Sequence, residues 1–280
     1  MGILFSLPVH ESNDVVRDTI RNARLYNPGC QFVLHVSAGF FDFDASIGDD
    51  PDVFVNPIRF PTVHAWSQVP THLTNYIHAY NSGVQFTHLC ILHTSEMFVK
   101  QGMHDHIKGL DYSLWFTDAN QPRVGVWPPW VNSYHNKVFR DLFDPHDPSH
   151  YLGNLIEGNY FRRELFHEIV LWTQRNYNIM DMLWPWAAEE VYFPTLANHF
   201  GGGKNFGHPY CCFHHKTHFV DNTQDVDDIR ANRDVTFWQP NNFVYNKIPF
   251  PGLHLYSIKR ISRDPQDPIR SYINSLPVSS

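Results

Sequence analysis

Short apolar runs alternate with amphipathic segments at the start of the chain. Residues 3–9 form an almost continuous apolar run, which is typical of a strand buried on both faces of a parallel sheet. Between Asn13 and Tyr26 the apolar residues recur at helical spacing, and Ser12 is a suitable N-cap. A second apolar run follows at residues 32–37. The order strand, helix, strand predicts a parallel sheet that is covered by helices on both faces.

The same kind of pattern continues to the end of the chain. We expect further strands at residues 53–58, 86–93 and 124–130, and helices at residues 69–83, 187–197 and 267–273 and in the stretch that ends at residue 177. Pro194 is expected to end or kink its helix. No repeat, linker or low-complexity segment interrupts the pattern. Residues 1–280 are therefore expected to form a single α/β domain with a doubly wound, mostly parallel sheet flanked by helices.

The predicted topology also indicates where a ligand binds. In doubly wound sheets, ligands lie outside the carboxyl ends of the strands. His10 and Ser37 follow or end the first two predicted strands, so we expect both near the ligand. No Gly-x-Gly-x-x-Gly motif follows the first strand, which disfavours a dinucleotide as that ligand.

Composition narrows the class of protein. The net charge of −7 argues against a general nucleic-acid binder, which would need a basic surface. Aromatic residues make up 15% of the chain, and they either provide stacking surfaces for sugars or fill a Phe-rich core. The four cysteines lack the paired spacing of a zinc site and fit a reducing compartment. Because no apolar run reaches about 18 residues, the sequence favours a soluble, cytoplasmic protein without a transmembrane segment.

Two adjacent carboxylates, Glu189 and Glu190, follow the rigid stretch Trp184-Pro185-Trp186. On a helix these two side chains point about 100° apart, so only one of them faces a given site. Indole rings nearby partly desolvate a carboxylate and raise its pKa, which suits general acid/base catalysis. The alternative is structural, because acids in the first turn of a helix complement its dipole. The residues alone leave both interpretations open.

Residues 188–196 read Ala-Glu-Glu-Val-Tyr-Phe-Pro-Thr-Leu. They resemble a segment of the core-2/I-branching-type glycosyltransferases that reads Asp-Glu, two residues, Phe, one residue, Thr-Leu. That family includes N-acetylglucosaminyl- and xylosyltransferases, and its second acid is the catalytic base. The resemblance gives this role to Glu190, while Glu189 stands where Asp is usual. It also implies a GT-A-like, Rossmann-type fold.

Other segments resemble the same family more loosely. Ser95 and Glu96 follow the predicted strand at residues 86–93, near the point where the family has Leu-Ser-Glu/Gly, although the Asp and Pro of that pattern are missing. Together with His10 and Ser37 they are the expected nucleotide-binding residues. Residues 153–165 are similar to the acceptor-binding loop of the family. The acceptor-binding residues implied in this way are Glu157, Tyr160, Arg162, Trp186 and Glu189.

Many nucleotide-sugar transferases hold a metal on the diphosphate with Asp-x-Asp at the end of the central strand, where this chain has His-Thr-Ser-Glu. In the resembling family a C-terminal basic pair neutralises the diphosphate instead. This implies diphosphate binding by Lys259, Arg260 and Arg263 without a metal, and the alternative is a solvated C-terminal surface. Asp42-Phe43-Asp44 is a minor alternative metal site, or else an acidic surface loop. The two histidines of His104-x-His106 would point to opposite faces of a strand.

Together these features predict an inverting glycosyltransferase. The resemblance implies a UDP-sugar donor, with xylose preferred to N-acetylglucosamine, and an oligosaccharide or glycoprotein glycan as the acceptor. The absence of an anchor resembles soluble microbial or large-virus members, which build glycans in the cytoplasm of the microbe or of the infected host. Two other classes stay open. A non-catalytic carbohydrate-binding module would use the aromatic cleft alone, and a metal-dependent hydrolase would use Asp42, Asp44 and the histidines.

Overall fold

The computed structural model describes residues 2–62, 67–114, 152–180, 187–213, 220, 222–237 and 248–278. The helices are α1 (Asn13–Tyr26), α2 (Gln68–Asn81), α3 (Met103–Ile107), α4 (Arg163–Asn176), α5 (Glu189–Gly201), α6 (Gln224–Arg230) and α7 (Pro268–Ser275). The strands are β1 (Gly2–Val9), β2 (Gln31–Val36), β3 (Val53–Val55), β4 (Phe86–Ile91), β5 (Glu96–Phe98), β6 (Tyr112–Ser113), β7 (Tyr160–Arg162), β8 (Phe206–Gly207), β9 (Cys211–Phe213), β10 (Val235–Phe237), β11 (Ile248–Phe250) and β12 (Ser257–Lys259).

The main sheet has seven strands in the order β3-β2-β1-β4-β7-β6-β8. The first four are mutually parallel, because β1 pairs in parallel with both β2 and β4, and β2 pairs in parallel with β3. β7 is antiparallel to β4 and to β6, and β6 is parallel to β8. The prediction of an α/β protein with a mostly parallel sheet is therefore confirmed, although the sheet is mixed on the β7 side.

Helices cover both faces of this sheet, and the strands feed two separate cores. Along β1, Leu4 belongs to a core that contains residues of α2, α4 and α5, whereas Phe5 belongs to a core that contains residues of α1 and α3. Successive side chains of a strand point to opposite faces, so one strand supplies both cores. Both side chains are fully buried, and burial of each contributes about 1.5–3 kcal/mol.

A second sheet of three strands, in the order β5-β12-β9, follows the carboxyl end of β4. β12 is antiparallel to β5 and parallel to β9. A third core lies beside this sheet and includes Met97, Ile258 and Ile273. The C-terminal part of the chain is therefore held next to the residues that follow the central strand.

The sequence predicted that Pro194 ends or kinks its helix, and α5 continues through Pro194 to Gly201, so Pro194 does not end it. A proline has no N–H to donate to the carbonyl four residues before it. Here that carbonyl, Glu190 O, accepts instead from Asn154 N at 2.8 Å. A bond from a neighbouring loop thus replaces the missing bond within the helix.

Two other predictions differ from the structure or fall outside it. His104 and His106 lie in the helix α3, not on a strand, and Gly102 with φ of 101° precedes this helix. A left-handed φ of this kind suits glycine and turns the chain sharply into the helix. The strand predicted at residues 124–130 lies outside the described residues. Among the described helices, none has both the length and the apolar character needed to cross a membrane.

Candidate functional site

The candidate site lies beyond the carboxyl end of β4, where separate segments of the chain meet. They are the residues after β4, the loop before β7, the first turn of α5 and the strand β12. β12 reaches this place because it pairs with β5, with Lys259 opposite Glu96 in the antiparallel register. The loop is fixed to α5 by the bond from Asn154 N to Glu190 O. The location agrees with the rule that ligands bind outside the carboxyl ends of parallel strands.

The first turn of α5 carries Glu189 and Glu190. Ala187 adopts a φ of 53°, and the first helical bonds run from Glu190 N to Ala187 O at 3.2 Å and from Tyr192 N to Ala188 O at 2.8 Å. Glu189 is only 5% exposed, and Glu190 is partly buried. The positive end of a helix dipole favours ionised carboxylates, but burial opposes ionisation.

Burial is the dominant influence on both acids. It raises the pKa of Glu189 to about 8, and the nearby negative charge of Glu157 acts in the same direction. The pKa of Glu190 is also raised, first by burial and then by the charges of Glu189 and Glu157, while Lys259 acts against the shift. Carboxyl groups so close together do not all ionise at neutral pH, so this group of acids holds at least one proton.

Lys259 and Glu157 form an ion pair whose side chains are only 13% and 7% exposed. Glu157 reaches Lys259 because the loop is pressed against β9 at Gly158. Gly158 has φ of 69°, and a Cβ atom there would overlap the backbone nitrogen of Cys211. Removal of either partner of such a pair is costly, because it leaves the other charge uncompensated.

Glu96 lies opposite Lys259 in the antiparallel pairing of β5 with β12. Its Oε1 accepts a hydrogen bond from Ser257 Oγ at 2.6 Å, and the side chain is 1% exposed. Burial raises the pKa of Glu96 to about 7, although Ser257 and Lys259 act in the opposite direction. Glu96 is therefore a further carboxyl group that takes up a proton near neutral pH.

A second basic group, Arg263, joins the ends of β1 and β4. Its Nε donates to Thr94 Oγ1 at 3.0 Å and lies 2.8 Å from Glu11 Oε1. Glu11 also accepts from the Thr94 hydroxyl and lies 3.0 Å from His10 Nε2. Arg263 keeps 40% of its side chain exposed, so its guanidinium can still contact a ligand.

Several buried polar atoms around Lys259 have no hydrogen-bond partner among the described residues. They are His93 Nε2, Glu96 Oε2, Glu157 Oε2 and Glu189 Oε2. Glu157 pairs with Lys259, and the charge of Lys259 influences the pKa of the other three. Buried polar groups in proteins are normally hydrogen-bonded. Their concentration around one lysine indicates a place that receives polar ligand atoms or water.

Three further predicted residues lie in the surrounding framework. Ser37 is buried at the end of β2, and its Oγ accepts from Thr62 N at 2.9 Å. Ser95 is buried, and its carbonyl accepts from Ile261 N at 3.0 Å. Arg260 has φ of 76°, and its carbonyl accepts from Val220 N at 2.8 Å.

Glu157, Glu189 and Glu190 form an acid cluster, and Tyr160 and Arg162 lie outside it. Tyr160 is fully buried in the core that contains residues of α1 and α3. Arg162 lies opposite His88, further from the carboxyl end of β4, and its Nε is 2.7 Å from Asp111 Oδ1. β7 runs antiparallel to β4, so it carries these side chains away from the ligand edge. Acceptor contact does not fit Tyr160, which has no solvent access, and Trp186 lies outside the described residues.

The Asp42-Phe43-Asp44 segment has a structural role in the described residues. Asp44 Oδ1 accepts from Ser46 N at 2.9 Å, which caps the 3₁₀-helix Ala45–Asp49, and its carboxylate pairs with Arg17. These contacts with Ser46 and Arg17 lower the pKa of Asp44. No group of three or more His, Cys, Asp or Glu within the described ranges is arranged to hold a metal ion.

The sequence reasoning missed Glu11, His93 and Thr94. Each follows β1 or β4 within three residues, so the rule about carboxyl ends of strands would have included them. The ion pair between Glu157 and Lys259 joins residues 102 positions apart. No local pattern in the sequence reveals such a contact.

No protein-family model matches this chain, and no curated protein matches it. The arrangement combines two cations with acids of raised pKa at one edge of the sheet. Such a site can bind an anionic ligand and move a proton on the same ligand or on a second one.

Proposed function

We propose that this protein is an inverting glycosyltransferase of the core-2/I-branching type with a GT-A-like fold. It transfers xylose or N-acetylglucosamine from a UDP-sugar to a hydroxyl group of a glycan acceptor in the cytoplasm. The observation that supports this most is the position of Glu190. It lies beside Glu189, Glu157 and the partly buried Lys259, at the edge of the sheet where nucleotide ligands usually bind.

Glu190 suits the role of base better than Glu189. It is partly buried, whereas Glu189 is 5% exposed and cannot reach an acceptor without movement of its surroundings. In the proposed step the Glu190 carboxylate takes the proton of the acceptor hydroxyl. The acceptor oxygen forms a bond to the anomeric carbon, and the bond from that carbon to the diphosphate oxygen breaks. UDP leaves with the bonding electron pair, and the anomeric configuration inverts.

Lys259, Arg260 and Arg263 would bind the diphosphate. Charge builds up on the leaving diphosphate in the transition state, and fixed cations stabilise it. Lys259 is paired with Glu157 before the donor arrives, so the phosphate oxygens compete with this carboxylate for the ammonium group. We expect His10, Ser37, Ser95 and Glu96 around the nucleotide. Of the remaining acceptor-binding predictions, Glu157 and Glu189 lie in the acid cluster and Trp186 has no described position.

Donor binding tests the proposal directly. Thermal unfolding of the full chain should be measured with UDP, UDP-xylose, UDP-N-acetylglucosamine and GDP, because a ligand that binds only the folded state raises its stability. We expect stabilisation by the uridine ligands and transfer that survives EDTA. Lys259→Ala should weaken UDP binding by about 1.5–3 kcal/mol, the value of a charge-assisted hydrogen bond. Lys108→Ala is the control, because Lys108 is an exposed cation that directly follows α3.

Two results would contradict the proposal. Equal UDP affinity in wild type, Lys259→Ala and Arg263→Ala would show that these cations do not bind the diphosphate. Activity lost in EDTA and restored by Mn²⁺ would favour a metal-dependent enzyme that uses Asp42 and Asp44.

A further inference from the structure

Three histidines from separate segments lie in contact next to α3. They lie beside the three-stranded sheet of β5, β12 and β9, which we call the small sheet. They are His106 in α3, His208 between β8 and β9, and His254 in the 3₁₀-helix Gly252–His254. The ring centroids of His106 and His254 are 4.9 Å apart, and those of His208 and His254 are 5.3 Å apart. The ring planes are inclined by only 30° and 19°. His254 therefore lies between the other two rings.

Each ring has one buried nitrogen without a hydrogen-bond partner among the described residues. These atoms are His106 Nε2, His208 Nδ1 and His254 Nδ1. All three side chains are partly buried. For His106 and His208 the neutral form of imidazole therefore fits, because a buried imidazolium would need a partner for its second N–H.

The charged groups nearby do not compensate a positive ring. Lys100 lies 4.7 Å from the centre of the Tyr256 ring, which itself contacts His106. On α3, His104, Asp105 and Lys108 are exposed, and Asp105 Oδ1 pairs with Lys108 Nζ at 3.0 Å. On the side of the 3₁₀-helix, Asp234 Oδ1 accepts from Gly252 N at 3.2 Å, and Arg233 pairs with Asp228. Lys204 and Tyr210 flank His208 on its own segment.

Burial lowers the pKa of His106 to about 4, with further contributions from His254, His208 and Lys100. Burial and then His254 lower the pKa of His208 as well. These pKa shifts determine how the stability of the histidine contacts changes with pH. A histidine released from the cluster has its ordinary pKa of 6.5, so protons favour the released state. The contacts are fully stable above pH 6.5 and weaken as the pH falls towards about 4.

The contacts that the cluster holds continue into the small sheet. His254 lies three residues before β12, and His208 lies three residues before β9. Tyr256 N donates to Tyr210 O at 2.7 Å, and Val99 N donates to Tyr256 O at 2.9 Å. Lys100 Nζ also donates to Gly252 O at 2.8 Å. A change at the histidines is therefore transmitted along the backbone to β12.

We propose that His106, His208 and His254 form a pH-sensitive latch. The stacked rings hold the Gly252–His254 turn against α3 and the segment before β9, and protonation of His106 or His208 separates these segments and loosens β12. The latch affects the packing of these segments, so this proposal does not depend on the proposed transferase activity. Its consequence is that β12 is held firmly at neutral pH and loosely in mild acid.

Hydrogen exchange of the full chain, followed by mass spectrometry at pH 7.5 and pH 5.0, tests the latch. After correction for the intrinsic pH dependence of exchange, protection in peptides covering residues 206–212 and 250–259 should fall by about tenfold or more at the lower pH. One histidine with a pKa of 6.5 when released and about 4 in the cluster suffices for this change. Peptides of β1 and β2 should keep their protection.

His106→Gln removes a ring with a lowered pKa, and His254→Gln removes the ring that contacts the other two. Both variants keep a polar side chain of similar size. Each should reduce the pH effect to less than about half of that in wild type, while β1 and β2 stay protected. His104→Gln is the matched control, because His104 is an exposed histidine on the same helix, and it should keep the full effect. An unchanged pH effect in both test variants would overturn the proposal. Protection of the same peptides by Zn²⁺ alone at pH 7.5, abolished in His106→Gln, would overturn it in favour of a metal site.

Discussion

The proposed chemistry depends on the carboxyl group of Glu190, and the surroundings of this group oppose its ionisation. Burial raises its pKa most, followed by the charges of Glu189 and Glu157, whereas Lys259 favours the ionised form. A base with a raised pKa holds a proton more strongly. It acts, however, only in the fraction of molecules in which it is ionised.

This gives a prediction for the pH dependence of turnover. Glu190 has a raised pKa, and the pKa of Glu189 beside it is about 8. Deprotonation of these acids activates the base, so kcat should still increase with pH where an ordinary glutamate with a pKa of about 4.3 is already fully ionised. The measurement is kcat against pH at saturating donor and acceptor. A kcat that is already constant above about pH 5.5 would show that the base has an ordinary pKa.

At this scale the sequence indicated some residues and missed others for definite reasons. Glu190 and Lys259 were predicted because a local motif and a basic cluster contain them. The resemblance also pointed to Tyr160, but a motif does not show that its side chain turns into a core. Glu11 follows β1 closely, so its place at the strand end was predictable, but its contacts with Thr94 and Arg263 come from distant parts of the chain and were not.

At the scale of elements, the loop before β7 depends on one glycine. Gly158 has φ of 69°, and its α-carbon faces the backbone of Cys211 without space for a side chain. The next residue towards the N-terminus, Glu157, pairs with Lys259. The close approach of the loop to β9 thus fixes the position of the ion pair.

Gly158→Ala should therefore destabilise the protein and weaken UDP binding. The positive φ alone costs about 1–2 kcal/mol for a residue with a Cβ atom, and overlap with Cys211 adds about 1–3 kcal/mol through displacement of the loop. Gly83→Ala is the matched control. Gly83 has φ of 73°, but its Cβ would have nothing within 4 Å. Chemical denaturation measures both variants, and equal losses of stability would show that the close approach to β9 does not matter.

The helix α5 shows how far an element can be predicted from its own sequence. The apolar spacing indicated a helix over residues 187–197, and the structure has a helix at Glu189–Gly201. The bond that replaces the one lost at Pro194 was not predictable, because its donor Asn154 N lies in another segment. Local patterns describe what a segment prefers, and contacts from other segments decide where it ends.

At the scale of the whole molecule, Arg270 joins the C-terminal helix to the start of the chain and to the site. It is 0% exposed, and it pairs with Asp18 through one nitrogen. Its other nitrogens donate to Ser262 O at 2.9 Å and to Thr94 O at 3.1 Å. Asp18 also pairs with Arg21, whose side chain is 69% exposed.

The two arginines that share Asp18 should differ strongly in their contribution to stability. Arg270→Ala should cost about 3–5 kcal/mol, because it removes a fully buried guanidinium and leaves Asp18 Oδ2 and two carbonyls without their donor, although Asp18 keeps Arg21. Arg21→Ala should cost less than about 1 kcal/mol, as is usual for exposed ion pairs. Urea denaturation of both variants provides the comparison. A loss for Arg270→Ala as small as that for Arg21→Ala would mean that the C-terminal helix is not held by this residue.

The order of the first strands and helices was predictable, because each has its own hydrophobic pattern and parallel connections have a fixed geometry. The small sheet was not predicted, since β12 pairs with β5 across more than 150 residues. The sequence predicted a site at the carboxyl ends of the strands, and this stays a prediction. The partners that complete it from the C-terminal part of the chain came only from the structure.

The central claim is that Glu190 is the base of a sugar transfer, and its most direct test is a comparison of Glu190→Gln with Glu189→Gln. Turnover and UDP-sugar affinity should be measured separately in both variants. Glu190→Gln should lower kcat by about 10²–10⁴, the usual contribution of a positioned base, with little change in donor affinity. Glu189→Gln should lower it much less. Full turnover in Glu190→Gln would contradict the claim, and loss of turnover in Glu189→Gln alone would assign the base to the neighbouring residue.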